Sequence, residues 1–226
     1  MTVGSIIEVQ GVGRRFGIEP AVDALVDVYL EVHPGEWLAI AGPSGSGKST
    51  LLNILGLLDV ATSGTYRLAG SDVRALNDEQ RAGLRSREIG FVFQAFHLIA
   101  YRTVLENVML SDVYHKGPRR SRSDRARAAL ARVGLGHRED FLPTRLSGGE
   151  RQRAAIARSI MGAPSVLLCD EPTGNLDSAT TASVLDLFAE LNSSGLTIVM
   201  ITHEADVAAR AQRHVRIVDG RLTEAA

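Results

Sequence analysis

Residues Gly42 to Thr50, GPSGSGKST, gather glycines, small hydroxyls and one cation into a short loop. The loop follows the apolar run 37–41 and precedes Leu51, Leu52, Leu55 and Leu58 at helical spacing. A Gly-x-x-x-x-Gly-Lys-Ser loop between a strand and a helix is built to hold phosphate. Glycine lets the backbone curl around an anion with its N–H groups turned inward, and the helix start adds the positive end of its dipole. Gly42, Ser44, Gly45, Ser46 and Gly47 make the cradle. Lys48 reaches the β and γ phosphates, Ser49 suits a Mg²⁺ ligand, and Thr50 sits near the α phosphate. The bland alternative is a Gly/Ser-rich turn, which rarely coincides with the full motif in this context.

Asp170 and Glu171 end a second apolar run, SVLLC at 165–169. Two adjacent carboxylates at the end of a buried strand repel each other and lose hydration, unless a metal and a water use them. Asp170 suits Mg²⁺, directly or through water, and Glu171 suits a general base for an attacking water. A helix cap is the plainer reading of the pair. Gln94 and His203 end two further apolar runs, 89–93 and 197–202. Either alone reads as a loop residue. Four strand ends that carry Lys48, Asp170, Gln94 and His203 to one sheet edge make a ligand site, because open α/β sheets bind ligands at the carboxyl ends of their strands.

Ser147, Gly148, Gly149 and Glu150 form another anion-friendly stretch. Serine followed three residues later by glutamate is a capping box. A cap alone does not require two glycines after the serine; glycines also allow a ligand close to the backbone, where a helix start offers free N–H donors.

The elements that must position these residues follow from periodicity. The four apolar runs are nearly continuous, as in parallel strands buried on both faces. Val22, Ala24, Val26, Val28, Leu30 and Val32 alternate with polar positions, which predicts a strand with one buried face. Segments 6–9 and 65–68 add to an amino-terminal β layer. Val184, Leu187, Phe188 and Leu191 predict a helix stopped near Gly195, and Asp219-Gly220 predicts a closing hairpin. The span 95–163 lacks a strong strand signal and holds an alanine-rich helix, Asp124 to Val133, and the helix opened by Ser147. The expected class is α/β, with residues 1–226 as one domain: a nucleotide-binding core from 1–94 and 164–226, and a helical subdomain at 95–163.

The order GPSGSGKST, FVFQ, LSGGERQR, LLCDEPTGNLD and ITH resembles the ATP-binding cassette (ABC) ATPases over essentially the whole chain. The resemblance implies a P-loop NTPase fold with a mostly parallel core sheet, an antiparallel amino-terminal β layer and an inserted helical subdomain. It implies ATP and Mg²⁺ as cofactors and ATP hydrolysis as the reaction. By the same resemblance Phe16 stacks on adenine, although strand packing also explains a phenylalanine there. Gln94 touches Mg²⁺ or water and senses a membrane partner. Ser147, Gly148 and Gly149 present a signature loop to the γ-phosphate bound by a second chain. Asp177 lies at the subunit interface, and His203 sits near the γ-phosphate. The detailed wording resembles the branch of macrolide exporters, lipoprotein-release systems and FtsE-type ATPases, whose membrane subunits carry a large extracytoplasmic domain. Cys169 and Ala100 stand where that family often has alanine and proline, away from the phosphate chemistry.

Lys+Arg 25 against Asp+Glu 26 gives a net charge of -1, so no overall field favours nucleic acid. One cysteine excludes an intrachain disulfide. No run is long enough to span a membrane, and no secretory signal is expected. The expected assembly is a homodimer on the inner face of the cell membrane, cytoplasmic and peripheral, bound to an integral permease. The basic run Lys116 to Arg127 reads as a solvated face or as contact with lipid or permease. Two other classes compete with transport. One is an ATPase that mechanically regulates an extracytoplasmic partner. The other is the soluble repair and translation ABC proteins, whose coiled-coil or zinc inserts and paired cassettes this chain lacks.

Overall fold

The computed structural model describes residues 4–112 and 119–224. Strands β1 (Ile7–Phe16), β2 (Val22–Val32), β4 (Ser63–Leu68) and β5 (Ser71–Asp72) form an antiparallel sheet in the order β2-β1-β4-β5. The second sheet has the order β10-β9-β3-β8-β7-β6, from β3 (Trp37–Ala41), β6 (Ile89–Phe93), β7 (Val166–Asp170), β8 (Thr197–Ile201), β9 (Arg213–Val218) and β10 (Arg221–Glu224). Its strands pair in parallel except β10, which returns antiparallel on β9. The chain is therefore an α/β protein with an antiparallel layer beside a mostly parallel core sheet.

The continuous apolar runs have a geometric cause. Successive residues of β3 alternate between two cores: Trp37 and Ala39 join one, Leu38 and Ile40 the other. Helix α1 (Lys48–Leu55) fills the space between the sheets, with Leu51, Leu52, Ile54 and Leu55 packed among Ile7, Val9 and Val28. The opposite face is covered by α5 (Gly148–Ile160) and α6 (Ser178–Ser193), through Ile156, Ile160, Val184 and Phe188. Between β6 and β7 the described residues hold helices α3 (Val104–Met109), α4 (Arg119–Arg132) and α5, with 3₁₀ turns and no strand. No helix among the described residues is long and apolar enough to cross a membrane.

Three expectations need correction. The inward alternation of β2 holds for Val28, Leu30 and Val32 but breaks at Asp27, whose φ is 53°. The pairing shifts there, from Val12 opposite Val28 to Arg14 opposite Leu25. Leu25 is buried instead, and Val22 is 59% exposed. A bulge adds one residue, and one residue reverses the faces of a strand. Leu58 lies beyond α1, which Gly56 terminates, and is exposed. Helix α4 begins upstream of Asp124 and takes in part of the basic run. Within it Arg122 and Arg125 bind Asp112, Arg122 also donates to the Met109 carbonyl, and Arg127 meets Glu139 at 2.9 Å. These arginines are committed within the chain; residues 116–118 of that run lie outside the described residues.

Candidate nucleotide site

The phosphate-binding loop joins β3 to α1. Gly47, at φ 103°, takes the cap position of α1 in a left-handed conformation open to glycine. Neighbouring backbone also forces glycine here: a Cβ at Gly42 would lie 2.2 Å from the Ile217 carbonyl oxygen, and one at Gly47 would lie 2.5 Å from that of Ala24. The loop thus rests on β2 and on the β9–β10 hairpin. Gly220 of the hairpin donates to the Ser46 carbonyl at 3.0 Å and accepts from Val26 N–H at 2.8 Å, tying both sheets to the loop. The Asp219-Gly220 turn is legible in the sequence; its contact with the phosphate loop is not, because it joins residues far apart in the chain.

Lys48 is buried, and its Nζ donates to the carbonyls of Gly42 and Pro43 at 2.8 and 2.7 Å. The loop is curled around its own ammonium, which places the positive charge at the centre of the cradle. Ser46 is buried as well, and its hydroxyl has no hydrogen-bond partner among the described residues. A buried hydroxyl without a partner is costly, and a bound phosphate oxygen would satisfy it. Ser44 and Gly45 are exposed at the loop tip, and Ser49 and Thr50 follow Lys48 in the first turn of α1.

The neighbouring strand ends fall in the order β3, β8, β7, β6, so the loop, His203, Asp170 with Glu171, and Gln94 lie side by side on one edge. At about 4.8 Å per strand that edge spans roughly 14 Å. Burial, then the Glu171 charge, push the Asp170 carboxyl above the ordinary Asp range, and the Lys48 charge opposes them. Asp170 therefore sits where a cation is wanted. Glu171 adopts φ 44°, unusual for a non-glycine residue, and its N–H donates to Ile201 at 3.0 Å. Its Oε1 accepts from His203 Nδ1 at 2.9 Å. A carboxylate can only accept, so in this contact Nδ1 carries the proton. Gln94 and Asn175 interlock: Asn175 Nδ2 donates to the Gln94 carbonyl at 3.0 Å, and Gln94 Nε2 to Asn175 Oδ1 at 3.4 Å.

Ser49, Asp170 and Gln94 offer hydroxyl, carboxylate and amide oxygens. Such hard donors suit Mg²⁺, which is usually held by one or two protein groups plus substrate phosphates. Among the described residues no group of three His, Cys, Asp or Glu side chains could cage a metal alone. The set therefore fits a cation shared with a nucleotide.

Ser147 caps α5 as expected: its hydroxyl accepts from Glu150 N–H at 3.2 Å, and Glu150 Oε2 accepts from Ser147 N–H at 2.9 Å. The Ser147 backbone bond leads in holding the Glu150 carboxyl below its usual range, with Arg138 assisting. The two glycines differ. A Cβ at Gly149 would fall 2.4 Å from Thr180 Cγ2, whereas one at Gly148 would make ordinary contact with Leu176. Gly149 thus has a packing reason within the chain, and only Gly148 faces space without such a demand. Asp177 caps α6, accepting from Thr180 N–H at 3.0 Å and Thr180 Oγ1 at 2.6 Å. The signature stretch and Asp177 consequently form one packed unit, joined through Thr180.

Two side chains that sequence reading missed connect this unit to the strand edge. Gln152, fully buried in α5, donates to the carbonyls of Pro172 at 2.5 Å and Phe93 at 3.4 Å. Arg158 donates to the carbonyls of Phe96 and His97 just beyond Gln94. A buried glutamine on a helix face was the available signal. Phe16 ends β1, 41% exposed, paired with Val22 two residues before the Ala24 that abuts Gly47.

A phosphate cradle on a mostly parallel sheet, with a carboxylate–histidine pair on the next strands, is the arrangement expected of a nucleoside triphosphatase. The family profile for ABC transporters matches residues 25–174. Over 97% of its length the chain is 44% identical to an uncharacterized ABC transporter ATP-binding protein, YknY of Bacillus subtilis, and covers 96% of that protein. It is 49% identical over 220 residues to the macrolide export ATP-binding/permease protein MacB of Rhodospirillum rubrum, covering 34% of it. The chain thus spans about a third of the MacB relatives it matches. A dimeric post-hydrolysis structure of the ATP-binding cassette MJ0796, bound to ADP and phosphate, superposes with a TM-score of 0.86 at 36% identity, over 96% of this chain and 98% of that one. The chain belongs to the ABC transporter family, as an ATP-binding cassette ATPase.

Proposed function

We propose that this cassette binds Mg·ATP in two composite sites of a homodimer and drives a membrane permease of the MacB-like branch. The observation that carries this reading is the alignment of Lys48, His203, Glu171, Asp170 and Gln94 on adjacent strand ends. The loop Gly42 to Thr50 holds the α, β and γ phosphates, and Phe16 receives the base. Ser49, Asp170 and Gln94 would hold Mg²⁺, which when bound neutralises phosphate charge. Glu171 accepts a proton from the attacking water, and His203, hydrogen-bonded to Glu171, orients it and faces the γ-phosphate.

Ser147, Gly148 and Gly149 of one protomer complete the site of its partner, which C₂ symmetry makes reciprocal. Asp177, on the same packed unit, lies at that interface. The packing of Gln152 and Arg158 gives a route by which the Gln94 segment and the signature helix move together. The permease, with its extracytoplasmic domain, places the cassette at the inner face of the membrane, and export or release of a drug, peptide or lipoprotein is the work performed. Glu171→Gln keeps the shape and hydrogen-bonding span of the side chain but removes its basicity. We expect that variant to bind ATP with near-parental affinity while turnover falls at least ~100-fold. Parental turnover by Glu171→Gln contradicts the assignment of the base.

A further inference from the structure

One ion pair near the amino terminus has no part in the scheme above. Arg14, two residues before Phe16, stacks its guanidinium carbon 4.3 Å from the Phe16 ring centroid. The same guanidinium grips Asp59 through two contacts, Nε to Oδ2 at 2.9 Å and NH2 to Oδ1 at 2.8 Å. Two parallel bonds fix the plane of a guanidinium as a single contact cannot. Both partners are about three-quarters buried, with side chains 24% and 25% exposed. Phe16 keeps 41% of its surface open, so Arg14 occupies part of the ring and leaves the rest free.

Asp59 is itself anchored. It follows the carboxyl end of α1, its N–H donates to the Asn53 carbonyl at 3.2 Å, and its Oδ1 accepts from Val60 N–H at 2.7 Å. The next residues are stitched to the same strand: Thr62 N–H donates to the Gly13 carbonyl at 2.8 Å, and Thr62 Oγ1 accepts from Arg15 N–H at 3.0 Å. Helix α1 starts at the phosphate loop. The chain thus runs from phosphate cradle, through α1, to Asp59, to Arg14, to the Phe16 ring.

We propose that Arg14, locked by Asp59, is the positioning residue for the nucleotide base: it sets the Phe16 ring at a fixed distance from the phosphate loop and polarises it for stacking. The proposal rests on the reading that Phe16 receives the base. A cation over one face of an aromatic ring is attracted by its π density. Drawing that density toward Arg14 leaves the free face a better partner for an electron-rich purine. Without Arg14 an exposed phenylalanine samples several rotamers, and base binding then has to order it.

The test measures Kd for ADP and for inorganic pyrophosphate, which lacks a base, on the full chain and its Phe16→Ala, Arg14→Ala, Arg14→Lys and Asp59→Asn variants. Arg14→Ala and Asp59→Asn weaken ADP about three- to tenfold, leave pyrophosphate unchanged, and raise KM for ATP with kcat retained. Arg14→Lys keeps the charge but loses the fork and recovers only part of the affinity. Phe16→Ala weakens ADP at least as much. If Phe16→Ala leaves ADP binding intact, the base reading itself fails. If Phe16→Ala weakens ADP and Arg14→Ala leaves it unchanged or tightens it, only the role of Arg14 fails. Equal loss for ADP and pyrophosphate makes the ion pair a general structural tie and overturns the proposal.

Discussion

Asp170 holds a charge that the ligand-free fold disfavours. Burial and the adjacent Glu171 raise its pKa, so above the unfolded-state value the ionised form counts against the fold. That penalty grows as pH rises through the raised folded value and vanishes below the ordinary Asp range. Asp170→Asn should therefore raise the thermal midpoint of the ligand-free protein at neutral pH. The gain should disappear in acid, while Mg²⁺-dependent nucleotide binding is lost at every pH. A less stable Asp170→Asn protein at neutral pH would show that the carboxylate is structurally compensated. The carboxylates, the lysine and the histidine were all legible as residue types at the ends of apolar runs. The Glu171–His203 contact at 2.9 Å was legible only as a shared edge, since side-chain pairing depends on strand order. Cys169, fully buried in β7, is an inert apolar residue whose thiol burial pushes up, as its neighbours in sequence suggest.

Among the elements, α5 matters most. Its cap was readable from Ser147 and Glu150, but the glycines carried two meanings that sequence alone merged. Gly149→Ala drives a Cβ to 2.4 Å from Thr180 Cγ2. We expect it to cost about 1–3 kcal/mol of stability by overpacking, despite the better helix propensity of alanine. Adding Thr180→Ser removes that methyl and keeps the hydroxyl for Asp177. The double variant should recover most of the loss in urea unfolding. If it folds like the parent but turns over no ATP, the glycine also serves an approaching partner; recovery of both leaves packing as its whole role. Helix α2 (Asp78–Glu88) escaped sequence reading because only Leu84 is buried, so no apolar period exists. Its signal was the Asn77–Gln80 capping box, which appears in full. The bulge of β2 at Asp27 was hidden for the opposite reason: the apolar alternation continues through it, and only pairing with β1 reveals the slip.

For the whole molecule, on the proposed reading, two sheets with the loop at their junction supply half of one site, and the α5–α6 unit supplies half of another. The core sheet presents Lys48, Asp170, Glu171 and His203 at one edge, while Ser147 opens a helix whose first turn is closed by its own capping box. Parallel strands followed from the apolar runs, while their order in the sheet, β10-β9-β3-β8-β7-β6, is seen only in the structure. The second chain was implied only by the family resemblance of the Ser147 to Gly149 stretch, and a dimeric cassette structure superposes on this chain. The most direct test mixes a Lys48→Ala protein with a Ser147→Arg protein, each inactive alone. In the mixed dimer one site joins two damaged halves and the other joins two intact halves. The account predicts that the mixture regains ATP turnover and nucleotide occlusion, in proportion to the fraction of mixed dimers. Mixed dimers that form and recover neither would contradict the sharing of the site between chains.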